Sequence, residues 1–155
     1  MAYSQLQKVE TSMHIKSSAK QFYDLFCNRT HHISNMCPDI IQDVKIHQGE
    51  WGNEGSIIYW NYIYEGKTFV VKHVIEGVDR KNNIITFKAI DGGPLGYYKS
   101  FKVTLQVTPK KKGCEVHWML EYEKQSDNIP DPHYDLHLAG VITKDIDAYL
   151  TKDQK

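Results

Sequence analysis

The chain of 155 residues has no excess of charge of either sign, because 19 Lys and Arg balance 19 Asp and Glu to give a formal net charge of +0. Proteins that bind nucleic-acid phosphates usually present a basic surface. The one basic run, Lys110–Lys112, lies between two strand-like segments, where a solvated turn is expected. We therefore expect no nucleic-acid partner.

The sequence also has few cysteines and no long apolar run. Cys27, Cys37 and Cys114 cannot all pair, and they lack the short spacings typical of metal sites. Unpaired thiols are typical of a reducing compartment, which predicts a cytoplasmic protein. Residues 1–10 hold no apolar signal segment, and no apolar stretch is long enough to span a bilayer. We expect no metal, no cofactor and no membrane span.

The length fits a single domain over residues 1–155. Near the start, Ser17 or Ser18 can cap a helix that ends before residues 28–31. The apolar positions of this helix recur at helical spacing and are Ala19, Phe22, Tyr23 and Phe26. A second short helix is predicted through Ile33 and Met36 to Pro38.

From Ile40 to Lys124 the apolar residues alternate with a period of two, which predicts β-strands. The clearest alternations are Ile58, Trp60, Tyr62, Tyr64 and then Phe101, Val103, Leu105, Val107. Turn-forming residues interrupt them at 49–55, 65–67, 79–83, 91–96 and 109–113. This spacing predicts six or seven antiparallel strands joined by hairpins.

The last segment predicts a long amphipathic helix, with Asp131 as N-cap and Pro132 at the first helical position, ending at about Thr151. Its apolar stripe is Leu138, Ala139, Ile142, Ile146 and Tyr149. A sheet with one apolar face and one such helix predicts an α+β arrangement in which the helix covers that face.

Three segments carry a resemblance to a known superfamily. Residues Ile90–Gly96 (IDGGPLG) resemble a turn of birch-pollen-allergen-like proteins, and Tyr98–Phe101 (YKSF) resembles a motif of major latex proteins. Residues Gly49–Ser56 are similar to the glycine-rich loop of kirola-type major latex proteins. Shorter matches extend the resemblance over nearly the whole chain, at Phe22–Phe26, Glu65–Lys67, Tyr122–Lys124 and Thr143–Ile146.

The resemblance implies a helix-grip fold of the START-like kind. In it, a seven-stranded curved antiparallel sheet wraps around a long C-terminal helix, with two short helices in a V beneath and a hydrophobic cavity inside. The chain departs from either branch by joining the Gly-Gly-Pro turn of the birch allergens to the shorter following segment of the latex proteins, next to Pro94.

Our first functional hypothesis is a binding module: a carrier or buffer for an apolar plant metabolite or hormone. The predicted cavity wall combines apolar bodies with a few orienting OH and NH groups, as ligand sites usually do. Its residues are Phe22, Tyr23, Phe26, Ile58, Trp60, Tyr62, His73, Ile85, Phe87, Phe101, Val103, Trp118, Leu120, Tyr122, Leu138, Ala139 and Ile142. We expect a monomer, with a dimer as the alternative.

The second hypothesis is an enzyme of plant specialised metabolism, because the superfamily includes norcoclaurine synthases, thebaine synthases, neopinone isomerases and iridoid cyclases. An isomerase or cyclase acting on a reactive terpenoid or alkaloid intermediate, such as an iridoid precursor, needs a shaped pocket and a group that moves a proton. The candidates are His73, Tyr62 and Tyr64. A third class, a defence or interaction protein without a ligand, leaves the inner aromatics as plain core.

His73 is the most distinctive of these candidates. It shares a strand face with Phe69, Val71 and Ile75, and the resemblance places it opposite a cavity-facing acidic position of the birch allergen. A partly buried imidazole can stay neutral and act as donor, acceptor or proton shuttle. The alternative is a histidine whose hydrogen bonds are satisfied by neighbouring tyrosines.

Other suggestive residues have simpler explanations. A phosphate-binding glycine loop needs a helix after it, whereas Gly49, Gly52 and Gly55 lie between strands. His133 and His137 are four residues apart on the last helix but have no third metal ligand. The pair at residues 31–32 lies in a polar turn, where solvated histidines are ordinary.

Overall fold

The computed structural model describes residues 5–152, which form a curved antiparallel sheet with two α-helices and two short 3-10 helices. The strands are β1 (Gln7–Ile15), β2 (Ile41–Gln48), β3 (Ile57–Tyr64), β4 (Lys67–Asp79), β5 (Ile84–Gly92), β6 (Tyr98–Pro109) and β7 (Cys114–Lys124). The α-helices are α1 (Ala19–Cys27) and α2 (His133–Thr151), and the 3-10 helices cover Thr30–Asn35 and Gly93–Gly96. Neither α-helix in this part of the chain combines the length and apolarity that a bilayer crossing requires.

The seven strands follow the order β1-β7-β6-β5-β4-β3-β2, with every neighbouring pair antiparallel. The predicted α+β fold with a seven-stranded sheet is confirmed. The alternation between Ile40 and Lys124 accounts for six strands, β2 to β7, which pair consecutively. Strand β1 lies before that region and shows no apolar alternation. Polar Gln7 and Thr11 share its inward face with Val9 and Met13.

Alternate residues of each strand point into the molecule because successive Cβ atoms of a strand leave opposite faces. On β7, Val116, Trp118, Leu120 and Tyr122 are buried, while the residues between them are half-buried. The pairing of β4 with β5 interrupts this alternation, because the register shifts between Lys72 and His73 and again after Ile75. Such bulges increase local twist and re-aim side chains, so His73 lies at a bend in the sheet.

Helix α1 begins as predicted. The Ser18 side chain caps it by accepting a hydrogen bond from the Gln21 amide at 3.1 Å. Phe22 and Phe26 are buried against the sheet. The second short helix differs from the prediction, because a 3-10 turn already begins at Thr30, inside the expected break. The Thr30 hydroxyl donates to the Phe26 carbonyl at 3.0 Å, so the end of α1 is bonded to the start of this 3-10 helix.

Helix α2 ends at Thr151 as predicted but begins at His133, with Pro132 at the N-cap position and no side-chain cap. The prediction that Asp131 caps the helix is wrong. Its carboxylate instead accepts the Tyr122 hydroxyl at 2.6 Å and pairs with Lys124 at 3.0 Å, which draws it toward β7. Tyr149 also differs from the predicted stripe. It is 38% exposed, with its ring beneath the Lys152 ammonium.

The C-terminal half of α2 is fixed to the sheet by polar contacts. Trp118 Nε1 donates to Thr143 Oγ1 at 2.8 Å, and both side chains are buried. The Asp147 carboxylate accepts hydrogen bonds from the amides of Lys16 and Ser17 and from the Ser17 hydroxyl, the last at 2.6 Å. These contacts join the last helix to the junction of β1 and α1.

Candidate ligand-binding site

The predicted wall residues lie on the inward face of the sheet and on the helices that cover it. The strand register brings them side by side: Ile58 is opposite His73, Phe87 is opposite Val103, and Val103 is opposite Leu120. Apart from His73 and Leu138, all of them belong to the hydrophobic core or pack against it. The structure therefore brings the predicted residues into one continuous region.

Several of these side chains are completely enclosed by their neighbours. Phe22, Ile58 and Ile85 have 0% exposure, Tyr122 has 1% and Leu120 has 2%. The hydroxyl of Tyr122 is bonded to Asp131, and that of Tyr23 donates to the Ile84 carbonyl at 2.7 Å. These residues hold the sheet and helices together in the described structure.

A second group faces inward but is only half-buried. On the sheet it comprises Tyr62, His73 and Val103, and on α2 it comprises Leu138, Ala139 and Ile142. Helix α2 buries only Thr143 and Ile146 fully, and the inward side chains of its N-terminal half are half-buried. Contact between helix and sheet is thus close at one end of α2 and loose at the other.

Trp60 of β3 and His73 of β4 form an unusual polar pair on the inward face of the sheet. Their rings are 6.2 Å apart, and each also lies beside Phe87, at 6.2 Å and 5.6 Å respectively. Trp60 Nε1 and His73 Nδ1 are both enclosed, and neither has a hydrogen-bond partner among residues 5–152. The alternative that tyrosines satisfy His73 is therefore wrong for this nitrogen. Buried polar atoms without partners are uncommon in native proteins.

The surroundings of His73 keep its ring neutral. Desolvation lowers its pKa from the ordinary value of 6.5 to about 4. A neutral imidazole carries one N–H donor and one acceptor nitrogen, and the nitrogen that is protonated depends on its partner. At neutral pH the ring can therefore serve either role toward a ligand.

Tyr62 and Tyr64 lie at the far end of β3, within an aromatic group. The Tyr62 ring stacks on Phe69 at 5.8 Å, and the Tyr64 ring lies 4.2 Å from Tyr134 of α2. Burial, followed by the nearby charge of Asp135, raises the pKa of each of these two tyrosines to about 12. Both hydroxyls stay protonated at neutral pH.

Asp135 is a functional candidate that the sequence analysis missed. It precedes Leu138, Ala139 and Ile142 by three, four and seven residues, which places it on the same inward helical stripe. Its carboxylate makes no hydrogen bond or ion pair with any other residue between 5 and 152. Desolvation raises the pKa of this carboxyl from 3.8 to about 6. The spacing was visible in the sequence, but an acidic residue in the first turn of a helix is ordinary.

The glycine-rich loop at 49–56 connects β2 to β3, so no helix follows it. Arg80 holds the loop by donating to the Gly52 carbonyl at 3.2 Å and to the Asn28 side chain at 3.2 Å. His31 stacks on Trp51 of the same loop at 4.7 Å. These contacts are those of a structural loop.

The Gly-Gly-Pro turn lies next to the tyrosines. Gly93 has a φ of +52°, and a Cβ there would lie 2.7 Å from Val71 Cβ and 3.1 Å from the Tyr62 hydroxyl. Glycine thus allows the turn at residues 93–96 to approach the inner face closely. In the part of the chain that the structure covers, no three His, Cys, Asp or Glu side chains converge as a metal site would require.

Comparison with known proteins gives a consistent result. The sequence profile of the pathogenesis-related protein Bet v 1 family matches residues 4–153. MLP-like protein 43 of Arabidopsis thaliana is 44% identical over 155 residues, which cover 99% of this chain and 98% of that protein. MLP-like protein 31 of the same plant is 43% identical, covering 95% of this chain and 87% of the relative.

Solved structures agree with the described fold. A crystal structure of ginseng major latex-like protein 151 from Panax ginseng superposes with a TM-score of 0.90 at 33% identity, covering 93% of this chain and 97% of that one. Norcoclaurine synthase from Thalictrum flavum, in complex with dopamine and hydroxybenzaldehyde, gives a TM-score of 0.78 at 16% identity, covering 98% and 90%. At that identity, the second comparison shows a shared fold alone.

Proposed function

The chain belongs to the pathogenesis-related protein Bet v 1 family, and on that premise we propose that it binds an apolar small molecule in an internal cavity between the sheet and α2. The protein would act as a carrier or buffer for a plant metabolite or hormone. The observation that carries this proposal is the pair of enclosed, unpartnered nitrogens, Trp60 Nε1 and His73 Nδ1. A ligand oxygen facing them would supply the missing hydrogen bonds.

The exposure of the inward residues supports the same proposal. His73 keeps some accessible surface although its surroundings desolvate it strongly. Tyr62 of β3 and Ile142 of α2 are both half-buried, although both side chains pack against the core. Side chains that are removed from bulk water but not closely packed are expected around a space that a ligand fills.

The apolar wall supplies a large share of the free energy of binding. A ligand that buries ~300 Å² of apolar surface gains ~7 kcal/mol at ~25 cal/mol per Å², before the costs of association and ordering. A few hydrogen bonds to Trp60 and His73 then fix its orientation. That gross gain corresponds to a Kd of about 10 μM, so polar contacts must offset the costs of association for tighter binding.

Native mass spectrometry of the protein purified from its own tissue tests this proposal. We expect an adduct that survives gentle ionisation and is released as an apolar metabolite on denaturation. Titration with a hydrophobic fluorophore should show a saturable site in the ligand-free protein. Absence of both a copurifying metabolite and saturable fluorophore binding would overturn the proposal.

A second candidate is an isomerase or cyclase of specialised metabolism that uses the same cavity. It is favoured by the proximity of Asp135 to the Tyr62 and Tyr64 hydroxyls, because a carboxylate beside a phenol is a common arrangement for proton transfer. His73, with its pKa of about 4, is a weak base at neutral pH and would act as a hydrogen-bonding or relay group.

The compartment and assembly state remain predictions. The thiols of Cys27, Cys37 and Cys114 are free and buried, as in proteins of reducing compartments. We propose a cytoplasmic monomer, with a dimer as the alternative, and a role in defence or in specialised metabolism that follows from the ligand.

A further inference from the structure

We propose that the ligand carries a protonated amine at one end, bound by the Asp135 carboxylate among the rings of Tyr62 and Tyr64. The inference rests on the proposed function and adds a charge requirement to it. The amine would lie at the N-terminal end of α2, and the apolar body would extend from there toward Trp60 and His73.

Asp135 has an unusual position for an acidic residue in the first turn of a helix. It lies on the inward stripe of α2 with Leu138 and Ile142, not on the solvent face where first-turn carboxylates usually lie. Tyr62 and Tyr64 of β3 and Tyr98 of β6 all feel its charge. The adjacent Tyr134 places its ring 4.2 Å from the Tyr64 ring, so the first turn of α2 lies beside the end of β3 that carries these tyrosines.

Asp135 has no counter-charge among the described residues. Within residues 5–152, Asp135 has neither an ion-pair partner nor a hydrogen-bond donor. The nearby Lys124 is engaged by Asp131 at 3.0 Å, and the hydroxyl of Tyr98 donates to the Pro130 carbonyl at 2.7 Å. A carboxylate withdrawn from water without a partner is costly to the fold. A cation supplied by a ligand would remove that cost.

The surrounding rings specify the kind of cation. Four aromatic rings form a connected group: Tyr62, Phe69, Tyr64 and Tyr134. The ring centroids are 5.8 Å apart for Tyr62 and Phe69, 5.9 Å for Phe69 and Tyr64, and 4.2 Å for Tyr64 and Tyr134. Aromatic faces attract ammonium groups, and more strongly where water is excluded. A metal ion would require several oxygen ligands around it, whereas a single carboxylate with aromatic neighbours suits an alkylammonium group.

The strand register gives the length of the ligand. Tyr62 is opposite Phe69 on β4, while His73 is opposite Ile58, four residues earlier on β3. Four residues of strand span roughly 13 Å. The site therefore fits an amphiphile whose ammonium group and hydrogen-bonding oxygen are separated by about that distance.

The test uses three probes with one ten-carbon chain: decylammonium, decanol and decanoate. Each displaces the neutral fluorophore N-phenyl-1-naphthylamine from the wild-type protein at pH 7.5. We expect decylammonium to bind roughly 10- to 100-fold more tightly than decanol, the usual range for a charge-assisted contact, and decanoate to bind least well. In Asp135→Asn the preference for decylammonium should disappear while decanol binding is kept. Asp39→Asn, which changes an exposed carboxylate elsewhere, should behave as wild type.

A pH series on the wild-type protein provides a test that needs no variant to fold. Protonation of Asp135 between pH 7.5 and 5 should weaken decylammonium binding roughly tenfold and leave decanol unchanged. Tyr62, Tyr64 and Tyr98 have pKa values raised to about 12 and do not titrate in this range. His73 has a pKa of about 4 and does not titrate there either. His133 and His137 lie on either side of Asp135 on α2, so the same series on Asp135→Asn, which keeps both histidines, isolates the effect of the carboxylate.

The outcomes separate the two proposals. Fluorophore binding with equal displacement by all three probes, or with decanoate preferred, overturns the ammonium site and leaves the cavity proposal intact. A protein that binds neither the fluorophore nor any probe overturns both proposals. A preference for decylammonium that persists in folded Asp135→Asn, or at pH 5, assigns the charge recognition to another residue and also overturns the inference.

Discussion

The two halves of α2 meet the sheet in different ways. The C-terminal half belongs to an anchored end, which we define by Ser17, Trp118, Thr143, Ile146 and Asp147. Its polar groups join α2 to β7 and to the junction of β1 and α1, and Ile146 is fully enclosed. Buried polar groups that are all paired stabilise one arrangement of the elements.

The N-terminal half of α2 belongs to an open end, defined by Trp60, Tyr62, His73, Asp135 and Ile142. Here two enclosed nitrogens and one carboxylate have no partner among residues 5–152, and the Tyr62 and Ile142 side chains are half-buried. We propose from this difference that the anchored end stabilises the fold, whereas the open end offers its unsatisfied groups to a ligand.

The largest effect is expected at the anchored end. Trp118→Ala should lower the free energy of unfolding by about 3–5 kcal/mol, because it leaves a cavity and removes the hydrogen bond from Trp118 Nε1 to Thr143. Urea denaturation followed by circular dichroism measures the change. As a matched pair, Trp118→Phe should cost about 1–2 kcal/mol more than Trp60→Phe, since only Trp118 has a bonded N–H. Equal costs would abolish the distinction between the ends.

The next prediction separates an enzyme from a carrier. If the protein is an isomerase or cyclase, His73→Ala should lower turnover of its substrate by roughly 10²-fold, the scale of a lost acid–base group. If it is a carrier, the same change should alter ligand binding by about 0.5–1.5 kcal/mol. Product composition and rate would be followed over a panel of reactive terpenoid and alkaloid intermediates. Unchanged product composition with His73→Ala in an active protein would remove His73 from the mechanism.

Filling the open end should weaken binding without unfolding the protein. Ile142→Trp is expected to reduce fluorophore affinity roughly tenfold by occupying ligand space, while stability changes by less than about 1 kcal/mol. Ala148→Trp, at an exposed position of the same helix, serves as the control and should leave affinity unchanged. A loss of stability near 3 kcal/mol in Ile142→Trp would instead indicate a closely packed interior.

The smallest expected effect concerns the charge of Asp135. Its pKa is raised to about 6 in the folded protein, so the folded state takes up a proton before the unfolded state does, and ionisation opposes folding above that pH. Asp135→Asn should therefore raise the free energy of unfolding by about 1 kcal/mol at pH 7.5, a value reduced for partial exposure. The gain should shrink as the pH falls from about 6 toward 4. Thermal melts of wild type, Asp135→Asn and Asp39→Asn would measure it; a gain that does not vary with pH would contradict the cause.

Much of the frame around the anchored end was predictable from the sequence, including the inward positions of Trp118 and Ile146, but the Ser17–Asp147 and Trp118–Thr143 hydrogen bonds were not. The alternation through Phe101 and Val107 and the cap at Ser18 follow from local rules that the tertiary structure does not override. The strand at Gln7–Ile15 was not predicted, because its pairing with β7 is a long-range contact and its inward face is partly polar. Asp131 was misassigned for a similar reason, since its partners Tyr122 and Lys124 come from another element.

The open end was predictable only as a set of inward positions. Periodicity placed Trp60, Tyr62, His73 and Ile142 on the correct faces, but it cannot tell whether an inward nitrogen finds a partner. Asp135 was missed because its significance depends on what faces it across the interior. Hydrogen-bond satisfaction is a property of three-dimensional contacts, which no local pattern encodes.

The pairing of β1 with β7 has a consequence for how the chain is made. Gln7, near the start of the chain, is opposite Tyr122, and the Ser17 hydroxyl is held by Asp147. Strand β1 leaves the ribosome before β7 and must therefore wait for β7 before its edge is covered. Such distant pairing slows folding and leaves a bare strand edge during synthesis, at about 5–20 residues per second. The interval before β7 emerges is when the nascent protein is most prone to aggregate and most dependent on chaperones.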